Sequence, residues 1–306
     1  MNELKTIIQN LLNKEITQFS LKGKGAVNNA YYIETSDGKK YIVKQERTDK
    51  EVQPQNDLVT EARVTKMLCE LNLSIPIPNI IFISEVPKMY CYEFIEGNPM
   101  KELWINLTEA ERVDICCKLG YFHAEIGKKF TKEMAEKVGI KIDMSPDLHP
   151  EVLAEYNRLI LDEAVPEEFV KLVKLAKSIF ERTQSRLVFQ FLHNDAHHEN
   201  VIIRDKIISG FIDLGMSEYG EIAKEFSRYI RDYPGYFQHI VSAYEKESGS
   251  VLSYGRLVSN ALISGFIDIV KDYSKGGESK VSAEKAIRTY GRLMKDMAVT
   301  ENGSVL

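Results

Sequence analysis

Phe191-Leu192-His193-Asn194-Asp195-Ala196-His197-His198-Glu199-Asn200-Val201-Ile202-Ile203 is the stretch that most limits what this chain can become. An apolar approach leads into a polar knot carrying Asp195 and Asn200, and an apolar exit follows. A second apolar run, Gly210-Phe211-Ile212-Asp213-Leu214-Gly215, ends on another carboxylate. The pattern predicts two short strands that present two acids and an amide at one place. Oxygen donors of this kind suit Mg²⁺, which keeps some waters and completes its shell with substrate phosphates. A carboxylate beside them is placed to accept a hydroxyl proton during phosphoryl transfer.

The chain before this stretch offers the other parts of such a site. Leu4, Ile7, Ile8, Leu11 and Leu12 recur at helical spacing. Phe19 to Glu34 reads as two strands around a turn containing Gly23, Gly25 and Asn28. Small residues there let amide N–H groups approach phosphate oxygens; the plain alternative is an ordinary hairpin. Asp37-Gly38 marks another hairpin turn before Tyr41-Ile42-Val43-Lys44, so three successive antiparallel strands are expected. Lys44 ends the apolar run. It is either a solvated strand end or, if the strand lines a cleft, a ligand for phosphates. In the second case a long flexible cation needs a carboxylate to hold it. Glu61, in the amphipathic segment Asp57–Leu71, offers one; otherwise it is a solvated helix residue.

After Pro76 and Pro78, Asn79–Ile83 and Met89–Ile95 read as strands, and Glu96-Gly97-Asn98-Pro99 breaks the second. The passage Glu93–Ile95 exposes backbone N–H and C=O groups with which a nucleobase edge can pair. Beyond it the pattern turns helical. Thr108 and Glu111 have the spacing of a capping box, and His123 falls on the following helix as a packed, hydrogen-bonded residue. Asp143 to Glu168 is acidic, either a solvated helical face or a negative wall for a cationic substrate. Further helices are expected over Phe169–Ser185, around Phe226, Tyr229 and Ile230 up to Pro234-Gly235, and over 236–248, 251–275 and 281–298, with a frayed tail at 300–304.

A chain of 306 residues suggests about two domains or one two-lobed unit, here divided into residues 1–95 and 96–306. Its 44% hydrophobic and 28% charged residues are ordinary for a soluble globular protein. A net charge of −5 argues against nucleic acid or an anionic membrane surface as partner. Cys69, Cys91, Cys116 and Cys117 form no C-x-x-C pair and read as reduced thiols of a cytoplasmic protein. No signal-peptide pattern opens the chain, and no apolar run approaches the ~20 residues of a membrane helix. A monomer is expected.

The order of a glycine-containing hairpin, strand lysine, helix glutamate, linker, helices, His193-x-Asp195-x-x-x-x-Asn200 and Ile212-Asp213-x-Gly215 resembles the kinase-like phosphotransferases. Within them it is most similar to the aminoglycoside phosphotransferase family, which includes choline, homoserine and methylthioribose kinases. Asn194 and Leu214 depart from the Arg and Phe of protein kinases in the direction of the small-molecule kinases, and the turn at Gly23–Asn28 lacks the full three-glycine pattern. The resemblance covers residues 19–215. It implies an α+β fold of two lobes, an N-terminal antiparallel sheet with one helix and a larger, mainly helical C-terminal lobe. It further implies Asp195 as catalytic base, Asn200 and Asp213 as Mg²⁺ ligands, and Lys44 on the α- and β-phosphates, paired with Glu61. Gly23, Gly25 and Asn28 would cover the nucleotide, the Glu93–Ile95 backbone would meet its purine edge, and His193 would brace the loop.

The function expected is transfer of the γ-phosphate of ATP or GTP to a hydroxyl of a small molecule. A cationic aminoglycoside comes first, as in antibiotic resistance, with choline, homoserine, methylthioribose or a macrolide as alternatives. Two other classes compete. A non-catalytic nucleotide-binding module would use the same residues without turnover. A transition-metal site could be built from His193, Asp195, His197 and His198, but it leaves Lys44, Glu61, Asn200 and Asp213 without a use. A protein kinase is disfavoured because Asp-Phe-Gly and Ala-Pro-Glu are missing.

Overall fold

Side chains alternate across a strand, and that alternation organises the first third of the chain. The computed structural model describes residues 2–49, 53–184 and 187–303. In chain order the elements begin with α1 (Asn2–Leu12), β1 (Ile16–Lys24), β2 (Asn28–Thr35), β3 (Lys40–Glu46), α2 (Leu58–Glu70), β4 (Ile80–Glu85), β5 (Lys88–Glu93) and β6 (Asn98–Pro99). They continue with α3 (Met100–Leu103), α4 (Glu109–Lys129), α5 (Lys132–Val138), β7 (Lys141–Ile142), α6 (Pro150–Leu159), α7 (Glu167–Arg182) and β8 (Phe189–Leu192). The rest are β9 (Val201–Arg204), β10 (Ile207–Phe211), β11 (Glu218–Glu221), α8 (Ile222–Asp232), α9 (Phe237–Ser248), α10 (Tyr254–Lys275) and α11 (Gly277–Gly303). The chain gathers into two units. Unit 1 holds Met1–Ile115, Glu125–Ile142 and His193–Tyr219; unit 2 holds Cys116–Ala124, Asp143–Leu192 and Gly220–Leu306.

In unit 1 the five strands stand in the order β1-β2-β3-β5-β4, and every neighbouring pair is antiparallel. Tyr41 and Val43 of β3 with Met89 and Cys91 of β5 face α1, where they bury Ile8 and Leu12. Ile42, Tyr90 and Tyr92, from the same strands, face the other way and pack on Leu58 and Ala62 of α2. Lys44 shares that second face by its position two residues after Ile42. It does not end its strand: β3 continues to Glu46 because Lys44, Gln45 and Glu46 still pair with Ala30, Asn29 and Asn28. Helix α2 starts where the carboxylate of Asp57 accepts from the Thr60 N–H at 2.8 Å and thereby satisfies a helix-end donor. The capping box read at Thr108 and Glu111 is reciprocal in the structure.

Unit 2 is helical apart from short strands. Helix α10 buries Leu257, Val258, Leu262 and Phe266 and packs against α6, α7, α8 and α11. His123 is 1% exposed, and its Nε2 lies 2.9 Å from the Tyr229 hydroxyl, as a packed helix histidine should. Within this core Arg256 stacks 3.8 Å from the Phe180 ring and spreads its guanidinium over Glu221, the Phe180 carbonyl and the Pro146 carbonyl. Sequence patterning picks out neither Arg256 nor Glu221.

The acidic stretch is only partly helical, and several of its carboxylates are paired within unit 2. Asp143 pairs with Lys224, Glu155 with Arg158 and Glu167 with Lys171, while Asp162 accepts from the Ala164 N–H. Helix α7 ends at Arg182, short of the expected Ser185, which lies outside the described residues. The tail is helical as far as Gly303 rather than frayed from residue 300, and Ser304 is likewise outside the described residues. All four cysteines are free. Among the described residues no helix is long and apolar enough to cross a membrane.

Candidate active site

The polar knot leaves β8 at Leu192 and enters β9 at Val201. Two of its neighbouring residues require unusual backbone. Asn194 has φ +62° and Asp213 φ +67°, a left-handed conformation in which asparagine and aspartate are among the residues best tolerated. The first explains why a small residue precedes Asp195. The hairpin β9–β10, closed by Asp205 and Lys206, pairs Val201 with Phe211 and so returns the chain beside the knot. The Ile212 N–H then donates to the Asn200 carbonyl at 3.0 Å, which brings Asp213 next to Asn200.

His193 is the internal brace. It is 1% exposed, and its Nδ1 accepts from the Asp195 N–H at 3.3 Å. Nε2 therefore carries the ring proton and donates to the Ile212 carbonyl at 2.7 Å. Burial holds the imidazole below the usual histidine range despite that bond, so both contacts belong to a neutral ring. Asn200 is locked from the other side. Its Nδ2 donates to the Asp195 carbonyl at 2.9 Å and to the carboxylate at 3.3 Å, which leaves the amide oxygen as the donor atom for a cation. His197 Nε2 lies 3.4 Å from the same carboxylate, and its Nδ1 caps the Glu199 N–H. The rings of His197 and His198 are set at 76° to each other. Among the described residues no three His, Cys, Asp or Glu side chains converge as a metal cage.

A second bonded group lies in the same unit. Lys44 Nζ donates to Glu61 Oε1 at 2.6 Å and to Asp213 Oδ1 at 2.7 Å. Glu61 is buried and accepts a second bond on Oε1 from the Tyr90 hydroxyl at 2.7 Å. Tyr90 stands opposite Lys44 in the β3–β5 register, on the same face. Burial by itself would push the Lys44 ammonium down; the charges of Asp213 and Glu61 outweigh it and hold the ammonium well above the usual lysine value. Burial dominates at Glu61 and pushes its carboxyl up, against the attraction of Lys44. At Asp213 the Lys44 charge dominates and holds the carboxyl below its ordinary range. The Asp213 side chain remains 47% exposed, so this is the open side of the cluster.

The remaining sequence-predicted residues lie in separate stretches of unit 1. Gly23 is the last residue but one of β1 and Asn28 opens β2, with Gly25 in the turn between them. Arg47, which the sequence gives no reason to single out, holds that turn. Its guanidinium donates to the Gly25 carbonyl at 2.6 Å and its N–H to the Val27 carbonyl at 2.9 Å. At the end of β5 the N–H of Glu93 is spent on the Asn79 carbonyl and that of Phe94 on the Lys40 carbonyl. The Ile95 side chain packs against Gly210 so closely that a Cβ there would fall 2.3 Å from Ile95 Cδ1. Gly97 has φ +138°, and a Cβ on it would lie 2.6 Å from the Ile203 carbonyl oxygen. Gly97, facing fixed backbone at a positive φ, admits only glycine, whereas at Gly210 the obstacle is the Ile95 side chain.

The five-stranded antiparallel sheet with α2, the helical C-terminal region and the loop of His193, Asp195 and Asn200 define a kinase-like α+β phosphotransferase fold. The chain belongs to the phosphotransferase enzyme family (APH), whose family model matches residues 19–252. It is a nucleoside-triphosphate-dependent small-molecule kinase.

Solved structures agree on the fold. The macrolide 2'-phosphotransferase MphH of Brachybacterium faecium is 13% identical, with 94% of this chain and 97% of that one covered, at a TM-score of 0.67. The GDP complex of aminoglycoside 2'-phosphotransferase-IIIa is 12% identical, with 98% and 99% covered, at 0.68. A thermostable mutant of aminoglycoside phosphotransferase APH(4)-Ia, in ternary complex with AMP-PNP and hygromycin B, is 13% identical, with 96% and 98% covered, at 0.63. Comparison with curated protein sequences gives no match.

Proposed function

We propose that this kinase transfers the γ-phosphate of ATP or GTP to a hydroxyl of an aminoglycoside, as an antibiotic-resistance enzyme of the cytoplasm. The observation that carries the nucleotide half is the Lys44–Glu61–Asp213 group, a buried ammonium held by two carboxylates of which one is half open. Lys44 spends two of its three N–H donors inside the protein and keeps the third for the α- and β-phosphates. Asn200 and Asp213 would hold Mg²⁺: both offer an oxygen not taken up by Lys44 or Asp195, and hard oxygen donors fit that ion. When bound, the ion supplies charge neutralisation for the phosphates. Asp195 orients the acceptor hydroxyl and receives its proton; Asn200 and His197 fix its carboxylate. Gly23, Gly25 and Asn28 cover the phosphates, on a turn tied down by Arg47. With the N–H groups of Glu93 and Phe94 committed, the purine edge falls to the Glu93 carbonyl and the Ile95 N–H. The reading places the lobe boundary at residue 95, with a nucleotide-binding lobe before it and a catalytic and acceptor-binding lobe after it.

For the acceptor, the resemblance to aminoglycoside phosphotransferases supports the first reading. A macrolide is the second reading. The likeness to MphH supports it, and the internal pairing of Asp143, Glu155 and Glu167 removes much of the expected negative wall.

A coupled nucleotide assay over aminoglycosides, macrolides, choline, homoserine and methylthioribose tests the acceptor. Turnover of another compound with aminoglycosides inert sinks the substrate reading and spares the kinase. Asp195→Ala is expected to lower kcat by about 10²–10⁴-fold, the usual worth of a general base, with the fold retained. Wild-type turnover in that variant removes Asp195 from the mechanism. Nucleotide binding without turnover of any acceptor would favour a non-catalytic module.

A further inference from the structure

The two carboxylates that clasp Lys44 come from parts of the chain far apart in sequence, and something must fix the distance between them. Immediately before α2, Asn56 is only 5% exposed. Its Nδ2 donates to the Ser217 carbonyl at 2.8 Å and lies 3.4 Å from the Ser217 hydroxyl, and its backbone N–H donates to the Gly215 carbonyl at 3.2 Å. Gln55 adds bonds from Nε2 to the Met216 carbonyl at 2.8 Å and to the Ser217 carbonyl at 3.2 Å. Ser217 is itself pinned, since its hydroxyl donates to the Leu214 carbonyl at 2.7 Å.

We propose that Asn56 is a positioning residue for the phosphate-binding lysine. It ties the start of α2 to the segment that follows Asp213 and so sets the gap in which the Lys44 ammonium sits. The proposal rests on the nucleotide-site reading above. From the Gly215 carbonyl the bonded path runs through Asn56 to the Asp57 cap and one helical turn further to Glu61. Gly215 also passes between the two acids: a Cβ on it would lie 3.3 Å from Glu61 Oε2 and 3.7 Å from Asp213 Oδ1. The segment that carries Asp213 is thus held against α2 at both ends of the gap. An amide meets the requirement because Ser217 presents a carbonyl to a buried side chain. A carboxylate of the same shape would present oxygen to oxygen, and a methyl group would present nothing.

Asn56→Ala and Asn56→Asp test this, with ATP and GTP binding measured by calorimetry, turnover with whichever acceptor of the panel reacts, and amide exchange followed by mass spectrometry. Misplacing a phosphate ligand by about an ångström costs up to about 10²-fold. The nucleotide Kd is therefore expected to rise about tenfold in Asn56→Ala and further in Asn56→Asp. KM for the acceptor should stay unchanged, and exchange in the first turn of α2 should speed up together with that at 215–217. A packing role alone gives the reverse order, with the isosteric Asp better than Ala, or lowers Tm while leaving Kd at the wild-type value; either result overturns the proposal. Should neither variant fold, Gln55→Ala removes exposed partners of the same clamp, and an unchanged nucleotide Kd there counts against it equally. Asp195→Ala separates the two levels. If it is inactive while the Asn56 variants match wild type, only this inference fails; if it is fully active, the reading of the site fails first.

Discussion

Lys44 in unit 1 and Arg256 in unit 2 are both buried cations, 8% and 2% exposed, each held by carboxylate. They differ in what is left over. Arg256 meets both oxygens of Glu221, two carbonyls and an aromatic face, and Glu221 is 4% exposed. Every side of that group is closed. Lys44 meets Glu61 and Asp213 at 2.6 and 2.7 Å, but Asp213 is half open. A rigid planar fork suits the closed cluster, and a compact point charge suits the open one. Burial and pairing alone thus do not mark a binding site. The mark is a paired cluster left unfinished on one side.

The largest expected effect sharpens this difference. Lys44→Met should lower kcat/KM for the nucleotide by about 10²–10³-fold, comparable to the loss of one preorganised electrostatic donor. Its Tm should fall less than that of the Arg256 variant, because Asp213 can turn to water and Glu61, already pushed up by burial, can take a proton. Arg256→Met should do the opposite. Stranding Glu221 without its counter-ion costs roughly 3–5 kcal/mol, read as a shift in the urea midpoint, while the folded protein keeps its specific activity. If Lys44→Met proves the less stable of the two, the contrast between open and closed clusters collapses.

Tyr90→Phe comes next. It keeps the ring but removes one of two donors to Glu61 Oε1, a bond to a charged group worth about 1.5–3 kcal/mol. The nucleotide Kd should rise about tenfold, and a wild-type Kd would show that Lys44 alone orients Glu61. The smallest effect is on the surface. Lys206 first, and the Thr108 N–H after it, hold the Glu111 carboxyl at about 2 against an ordinary 4.5. A depressed carboxyl contributes stability above its unfolded value and loses it as pH falls through the folded one. Urea midpoints followed from pH 4.5 down to about 2 should therefore drop less steeply in Lys206→Met, which starts from a slightly lower midpoint at neutral pH, a small loss being expected of an exposed pair. Parallel curves would deny the pair any role.

Much of the fold is legible from local chemistry. The hairpin turn at Asp37-Gly38, the Asp57 cap, the Thr108 capping box and the apolar alternation of β3 depend on neighbours in sequence, and all appear where residue types demand them. Lys44 and Glu61 also meet, a pairing that the sequence suggests through the order of its motifs rather than through either residue alone. Tyr90 escapes notice because its role depends on the β3–β5 register, which no single strand encodes. Asn56 and Gln55 escape because their acceptors are main-chain carbonyls, which every residue carries alike. Arg256 escapes because a lone arginine on a helix ordinarily points to water. Of the partners of the acidic stretch, Lys224 is likewise set by tertiary contact.

The close contact of Ile95 with Gly210, and of Gly97 with the Ile203 carbonyl, has a consequence for how such a chain can diversify. Around the stretch proposed to meet the purine, Glu93 and Phe94 can vary in side chain with their backbones fixed by the sheet. Ile95 and Gly210 have no such freedom individually: a larger residue at 210 requires a smaller one at 95, in the same step. A mutant library aimed at altering nucleotide choice should therefore randomise 95 and 210 as a linked pair and leave Gly97 untouched.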